Sequence, residues 1–254
     1  MQELFEGFQA EDFAFIAGLL ESRVNFSDDR ELKRLLDASS EDTTNADKRD
    51  DLIAKMRDEI RYAGSSDLAY FYRWMRGGTP GVPVKQVFKD VSSQLDIPVD
   101  SVLTEREMVA HIAREYAERE FASLPDDDKI QMLEQLGVAS EKATEFVKRS
   151  AGVYTIPVLI KTFSVVVVDG LIKRVLFGTI ARIIGKAVAD RLFALLLTRI
   201  PWWVGWIGPA AWTASLSWTA VDVAGPAYRK TIPITLYLGL NSISLDSDSV
   251  ESPK

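Results

Sequence analysis

The chain has no cysteine and a single histidine, His111, among 254 residues. The first absence excludes a disulfide framework, a thiolate nucleophile and any cysteine-ligated metal site, and it fits a reducing compartment. The second leaves little for general acid–base relays, and no Ser-His-Asp arrangement with family spacing stands in their place. The opening residues Met1 to Glu6 bring acids where a signal peptide needs a basic start and an apolar run, so export by that route is not expected. Stretches alternating apolar and polar with period two are also scarce. Apolar residues instead recur at spacings of three and four, which predicts an all-α fold, a helical bundle.

Charge is missing altogether from Ile200 to Val221, and five of the six tryptophans, Trp202, Trp203, Trp206, Trp212 and Trp218, lie inside that run. Tryptophan suits the boundary between lipid and water, being apolar with one N–H that needs a wet partner. The run reaches bilayer length, but Gly205, Gly208 and Pro209 interrupt it. A helix from Pro209 to Ala224 would be about 24 Å long, short of a ~30 Å hydrocarbon core, so an interfacial hairpin or a buried helix pair fits better than a clean span. Ala211, Ser215 and Thr219 form a small-residue strip on which another helix, including one from a second copy, can pack closely.

Positive charge is scarce in the first 150 residues, with 20 Lys and Arg against 31 Asp and Glu, a net of −11. Residues 151–240 reverse this, nine against three, or +6; the tail 241–254 adds −2, giving the total of −7. An acidic body argues against nucleic acid as partner. A cationic apolar segment suits an anionic membrane surface, where each nearby Lys or Arg adds about 1 kcal/mol.

Four regions follow. Residues 1–51 are read as a short helical module, Glu11 to Leu20, with an exposed loop from Ala38 to Asp51. Residues 52–150 are an acidic helical body. There Leu52, Ile53, Met56 and Ile60 form one stripe ending at Ala63-Gly64, and Ser66 caps a helix running to Trp74. Gly77 to Pro83 is non-helical, and Val84, Val87, Phe88, Val91 and Leu95 form a second stripe. Thr104 and Glu107 make a capping box for a helix reaching Phe121. Asp126, Asp127 and Asp128 start a further helix in the turn where the dipole favours acids, Gly137 closes it and Ser140 opens the next. Residues 151–240 are apolar runs interrupted by charge, with Gly170 a candidate break and Arg182, Lys186 and Asp190 at four-residue spacing on one helical face. Residues 241–254, rich in Ser and Asp, are read as disordered.

Two patterns suggest chemistry and fall short of it. His111 stands four residues from both Glu107 and Glu115, yet a metal needs further ligands from a second helix, so a solvated face is the reading. Gly77 to Lys85 has the glycines and lysine of a phosphate loop without Walker spacing. No metal, cofactor or catalytic residue is expected, and the chain is read as a non-enzyme.

Two stretches carry a family likeness. Gly225-Pro226-Ala227-Tyr228-Arg229-Lys230-Thr231-Ile232-Pro233 is the first, with Gly225, Pro226, Tyr228, Arg229 and Pro233 as its marks. The second runs from Ile60-Arg61-Tyr62-Ala63-Gly64 through Arg76-Gly77-Gly78 and Gly81-Val82-Pro83-Val84-Lys85 to Phe88-Lys89-Asp90-Val91. The chain resembles the YaaW-type family of uncharacterised bacterial proteins over about residues 52–240. That family is grouped with helical chaperones that assist assembly of ubiquinol–cytochrome c reductase. The resemblance implies a noncatalytic, partner-binding role and supplies no active site. Asp12 to Phe15 matches only loosely, and Ile200 to Val221 is richer in Trp than the family pattern.

The sequence thus predicts a cytoplasmic protein at the inner face of the cytoplasmic membrane, engaging the membrane surface or an apolar protein client. The five tryptophans supply the contact, while Lys173, Arg174, Arg182, Lys186, Arg191 and Arg199 steer it to anionic headgroups. A pore-forming or membrane-damaging effector and a soluble helical interaction module are the alternatives.

Overall fold

In a computed structural model, residues 2–20, 26–41, 46–64, 82–150, 152–196 and 228–245 are described, and among them every regular element is helical. A 3-10 turn, Gln2–Phe5, precedes α1 (Ala10–Leu20), α2 (Phe26–Glu41) and α3 (Ala46–Ala63). Then come α4 (Val84–Gln94), α5 (Glu105–Ser123), α6 (Asp126–Gln135), α7 (Ser140–Arg149) and α8 (Ile156–Thr162). The last three are α9 (Val165–Ile184), α10 (Lys186–Leu196) and α11 (Tyr228–Ser242).

α11 is the hub. Thr231 to Gly239 are all buried, so this helix has no solvent face along its middle, and it packs on α5, α9, α4 and α1. A helix buried on all sides has no polar face and is held by the core around it. Pro233 deprives it of one i→i−4 hydrogen bond, and packing on every side keeps the chain helical through it. Gly239 lets α11 approach α5 closely, since a Cβ there would fall on the Val109 carbonyl oxygen.

The amino-terminal segment belongs to the same core. Leu4, Phe5 and Phe8 are buried, Phe5 stacks on Phe13 at 5.9 Å, and Phe15 meets Tyr237 of α11 at 4.3 Å between ring centroids. Arg49 fixes this turn from α3, donating to the carbonyls of Phe8 and Phe5 at 3.1 Å each while lying over the Phe13 ring. Buried residues from 1–51, 52–150 and 151–240 belong to one cluster.

Local signals govern several boundaries. Thr104 accepts from the Glu107 backbone N–H at 3.2 Å while the Glu107 carboxylate accepts from the Thr104 N–H at 2.8 Å, completing the capping box at α5. Gly137, at φ +87°, ends α6 with the Val138 N–H donating to the Leu133 carbonyl at 3.0 Å. Asp96 takes the equivalent left-handed position after α4, at φ 54°, with the Ile97 N–H on the Ser92 carbonyl. Arg119 holds that corner by donating to the Leu95 carbonyl at 2.7 Å.

Four readings are corrected. The stretch 38–51 is not one loop, because α2 extends to Glu41 and α3 begins at Ala46. The start of α3, Asp47 to Asp51, is wholly charged with none of its side chains buried, so it carries no apolar period, and Arg49 anchors it through the carbonyls of the amino-terminal turn. Gly170 does not break α9; it is buried, and the roughly 1 kcal/mol a helical glycine costs is small beside the packing around it. The break lies at Gly185, φ +84°, which puts Arg182 on α9 and Lys186 and Asp190 on α10, so the three do not share one helical face. Finally, the tail does not begin at 241: Asn241 and Ser242 complete α11, Ser242 is buried, and Ile243 and Leu245 pack on the core. Ser140 opens α7 as expected, with Ala139 in the cap position. The helix expected from Ser66 to Trp74 and the loop Gly77 to Gly81 lie outside the described residues, as does the tail from 246.

Candidate interaction surface

α8, α9 and α10 present their apolar sides to the core through Leu159, Val168, Leu171, Leu176, Ile180 and Leu192. Their outer sides are not uniformly polar. Of seven exposed large apolar side chains among the described residues, five lie between residues 153 and 195: Val153, Val158, Val166, Val188 and Leu195. Val166 is the most open of these, at 75%. The same stretch, 152–196, carries six Lys and Arg against two Asp, a net of +4.

The steering cations have separate settings. Lys173 pairs with Asp169 and Lys186 with Asp190, each at 2.6 Å across one helical turn; these pairs neutralise both acids of the stretch. The other cations of the stretch are Lys161, Arg174, Arg182 and Arg191. Arg174 is partly buried, its Nη1 has no hydrogen-bond partner, and burial lowers its pKa while leaving it a cation at neutral pH. Arg182 is shifted the same way by burial, opposed by Tyr116 and Glu120. Arg191 lies beside a groove. Trp202, Trp203, Trp206, Trp212, Trp218 and Arg199 lie outside the described residues, as do Gly225 and Pro226. Of the remaining marks, Tyr228 packs against the core, Arg229 is exposed and Pro233 is buried in α11.

The groove lies between α1, α2 and α10 and has a volume of about 290 Å³. Ala14, Ala17 and Gly18 of α1 line it, with the Leu192 side chain packed directly on Gly18. Leu32 and Leu36 wall one side and Leu192 and Leu195 the other, with Lys33 and Arg191 alongside. Sequence reading missed this site. Its signal was the small-residue spacing within an otherwise large and apolar helix, but only the fold shows that two other helices flank that strip.

Polar groups behind the surface serve the fold. The Tyr116 hydroxyl lies 3.3 Å from Thr179 Oγ1, and burial raises its pKa well above the ordinary phenol value, which keeps it neutral. Glu118 accepts from the Ile156 backbone N–H at 2.6 Å and fixes the start of α8. His111 meets the Pro98 carbonyl at 3.0 Å through Nε2, and Glu107 is engaged in the capping box. No group of three metal-ligating side chains occurs among the described residues.

Glu120 yields a pH prediction. Burial raises its pKa by more than Arg119 and Arg182 offset. A carboxyl whose folded pKa lies above the unfolded one contributes stability below the unfolded value, and that contribution is lost as pH rises through the folded pKa. Glu120→Gln is therefore expected to melt at a higher temperature than wild type at neutral pH, with the gain shrinking as pH falls to about 4. Thermal unfolding of both proteins across that range checks it; a gain that grows on acidification contradicts the assignment.

The chain is similar to UPF0174 proteins. One, from Helicobacter pylori, is 26% identical over 186 residues, covering 70% of this chain and 66% of that relative. A second from the same organism is 22% identical over 193 residues, covering 70% of this chain and 82% of the relative. The chain thus spans just under two thirds of the length of the first. No family model and no solved structure matches.

Proposed function

We propose that this is a noncatalytic binding protein of the assembly or chaperone-like kind, which attaches to an anionic apolar partner, foremost the cytoplasmic face of the membrane, through its C-terminal third. The observation that carries the reading is the coincidence, along 153–195, of exposed apolar side chains with excess positive charge. An amphipathic surface of this kind binds by burying apolar area at the headgroup boundary, and its cations add attraction to anionic lipid. Among the described residues no helix is long and apolar enough to cross a membrane, and surface attachment needs none. The charge-free tryptophan run that follows α10 in sequence extends the same chemistry.

Co-sedimentation with vesicles tests it. The full chain is expected to pellet with phosphatidylglycerol-rich vesicles at low salt, to be released as salt rises past the point where the Debye length falls to about 8 Å, and to ignore neutral phosphatidylcholine. Failure to bind the anionic vesicles at low salt removes the membrane reading. Dye leakage on binding would instead support a membrane-damaging effector.

A further inference from the structure

α8 and the start of α9 meet at an outward corner. On α8, Ile156 and Leu159 are buried, whereas Val158 and Lys161, three residues apart and so on one side of the helix, are exposed. The chain breaks at Phe163, whose φ of −111° and ψ of −97° are not helical, and Ser164 starts α9 by accepting from the Val167 N–H at 3.3 Å. Val166 therefore stands in the first turn of α9, just past Lys161, and is 75% exposed. The corner is tied down. Glu118 accepts from the Ile156 N–H at 2.6 Å, and the Phe163 ring meets Phe146 edge-on at 4.8 Å, so the exposure of Val166 belongs to a fixed shape.

We propose that this corner is the part of the surface that enters the bilayer, Val158 and Val166 reaching below the phosphate level while Lys161 pairs with the phosphate of an anionic lipid. The proposal rests on the reading that the C-terminal third attaches to a membrane, and it names the point of entry. Charge complementarity selects the occupant. From Ser150 to Val168 the sequence has one lysine and no acid, and the next acid, Asp169, is paired with Lys173. Lys161 itself is exposed and has no ion pair among the described residues. A side chain that protrudes as Val166 does would need a matching socket in a rigid partner, whereas a fluid acyl layer closes around it and the lysine beside it reaches the headgroups.

Because the chain has no cysteine, a single label can be placed at the corner. Val166→Cys in the full chain, carrying an environment-sensitive nitrobenzoxadiazole dye, is titrated with phosphatidylglycerol-rich vesicles at low salt; its emission should rise and move to the blue. The same dye at Val102, 84% exposed in the loop before α5, should stay as in water. Lys161→Gln should weaken vesicle affinity about fivefold, the worth of one basic residue near an anionic surface, and the deficit should close as salt rises. Val166→Asp should weaken it at least about tenfold and keep its deficit in salt; an acid in the first turn of a helix is itself favourable, so this variant folds. A dye at 166 that stays in water while the protein pellets, or wild-type affinity in Val166→Asp, overturns the corner and leaves membrane attachment standing. A chain that does not pellet removes both. Emission at 166 that shifts with protein concentration alone, without lipid, puts a second copy on the corner and overturns the proposal as well.

Discussion

Gly239→Val is expected to leave little folded protein, and even Gly239→Ala should cost about 3 kcal/mol or more in urea unfolding. A Cβ at this position would fall on the Val109 carbonyl oxygen and crowd the Ala113 methyl, both on α5. The carbonyl is part of a helical backbone and cannot rotate aside, so α11 would have to lift away from α5, its most extensive partner. That separation would loosen a buried row including Leu236, Leu238, Val109 and Ile112, each side chain worth roughly 1.5–3 kcal/mol when fully buried. Gly64→Ala is the control. There the nearest atoms to a Cβ belong to the Val87 side chain and not to helical backbone, so its cost should be smaller than that at Gly239. Equal losses for the two alanine variants would show that close helix approach at Gly239 is not what holds α11.

The same close approach explains part of what could be read from sequence and what could not. Helices with a one-sided apolar stripe were legible: Leu52, Met56 and Ile60 on α3, and Val84, Val87, Phe88 and Val91 on α4, fall on buried faces as their spacing predicts. Capping chemistry was legible too, at Thr104 and Gly137, because it is confined to four or five neighbouring residues. α11 was not legible as a centre. Its sequence, with Thr231, Pro233, Thr235 and Gly239, has modest apolarity and no stripe, since a helix enclosed on all sides has no polar face to set a period. Placing it needs partners more than a hundred residues away in the chain.

The surface shows a similar division. That residues 151–240 are cationic and apolar is a count any reader can make. Which of those apolar residues are spent inside the bundle is set by tertiary packing. Val168, Leu171 and Ile172 face inward whereas Val166 faces out, though all four lie within seven residues. Charge spacing misled for a related reason. Arg182, Lys186 and Asp190 satisfy the i, i+4 rule, but Gly185 at positive φ ends one helix between the first and second of them. Lys186 and Asp190 keep their pairing on α10, and Arg182 turns toward Tyr116 and Glu120.

Asp12→Ala is expected to destabilise the protein by about 3 kcal/mol, because one buried carboxylate joins the two ends of the chain. Asp12 is 1% exposed; its Oδ1 accepts from the Tyr237 hydroxyl of α11 at 2.6 Å and its Oδ2 from the Gln9 backbone N–H at 2.7 Å. The second bond satisfies a donor at the start of α1, where the helix dipole also favours a negative charge. Removing the carboxylate therefore takes the acceptor from two donors, one of them the hydroxyl of buried Tyr237, and the penalty exceeds that of an ordinary exposed bond. Tyr237→Phe takes away only the hydroxyl and leaves Asp12 its backbone partner, so about 1–2 kcal/mol is expected. The double variant should cost less than the sum by at least about 1 kcal/mol, since each single change already breaks the shared bond. Strictly additive losses would mean that the bond contributes nothing, and that α1 is held to α11 by other contacts, among them Phe15 on the Tyr237 ring and the Lys230 ammonium on the Leu20 carbonyl.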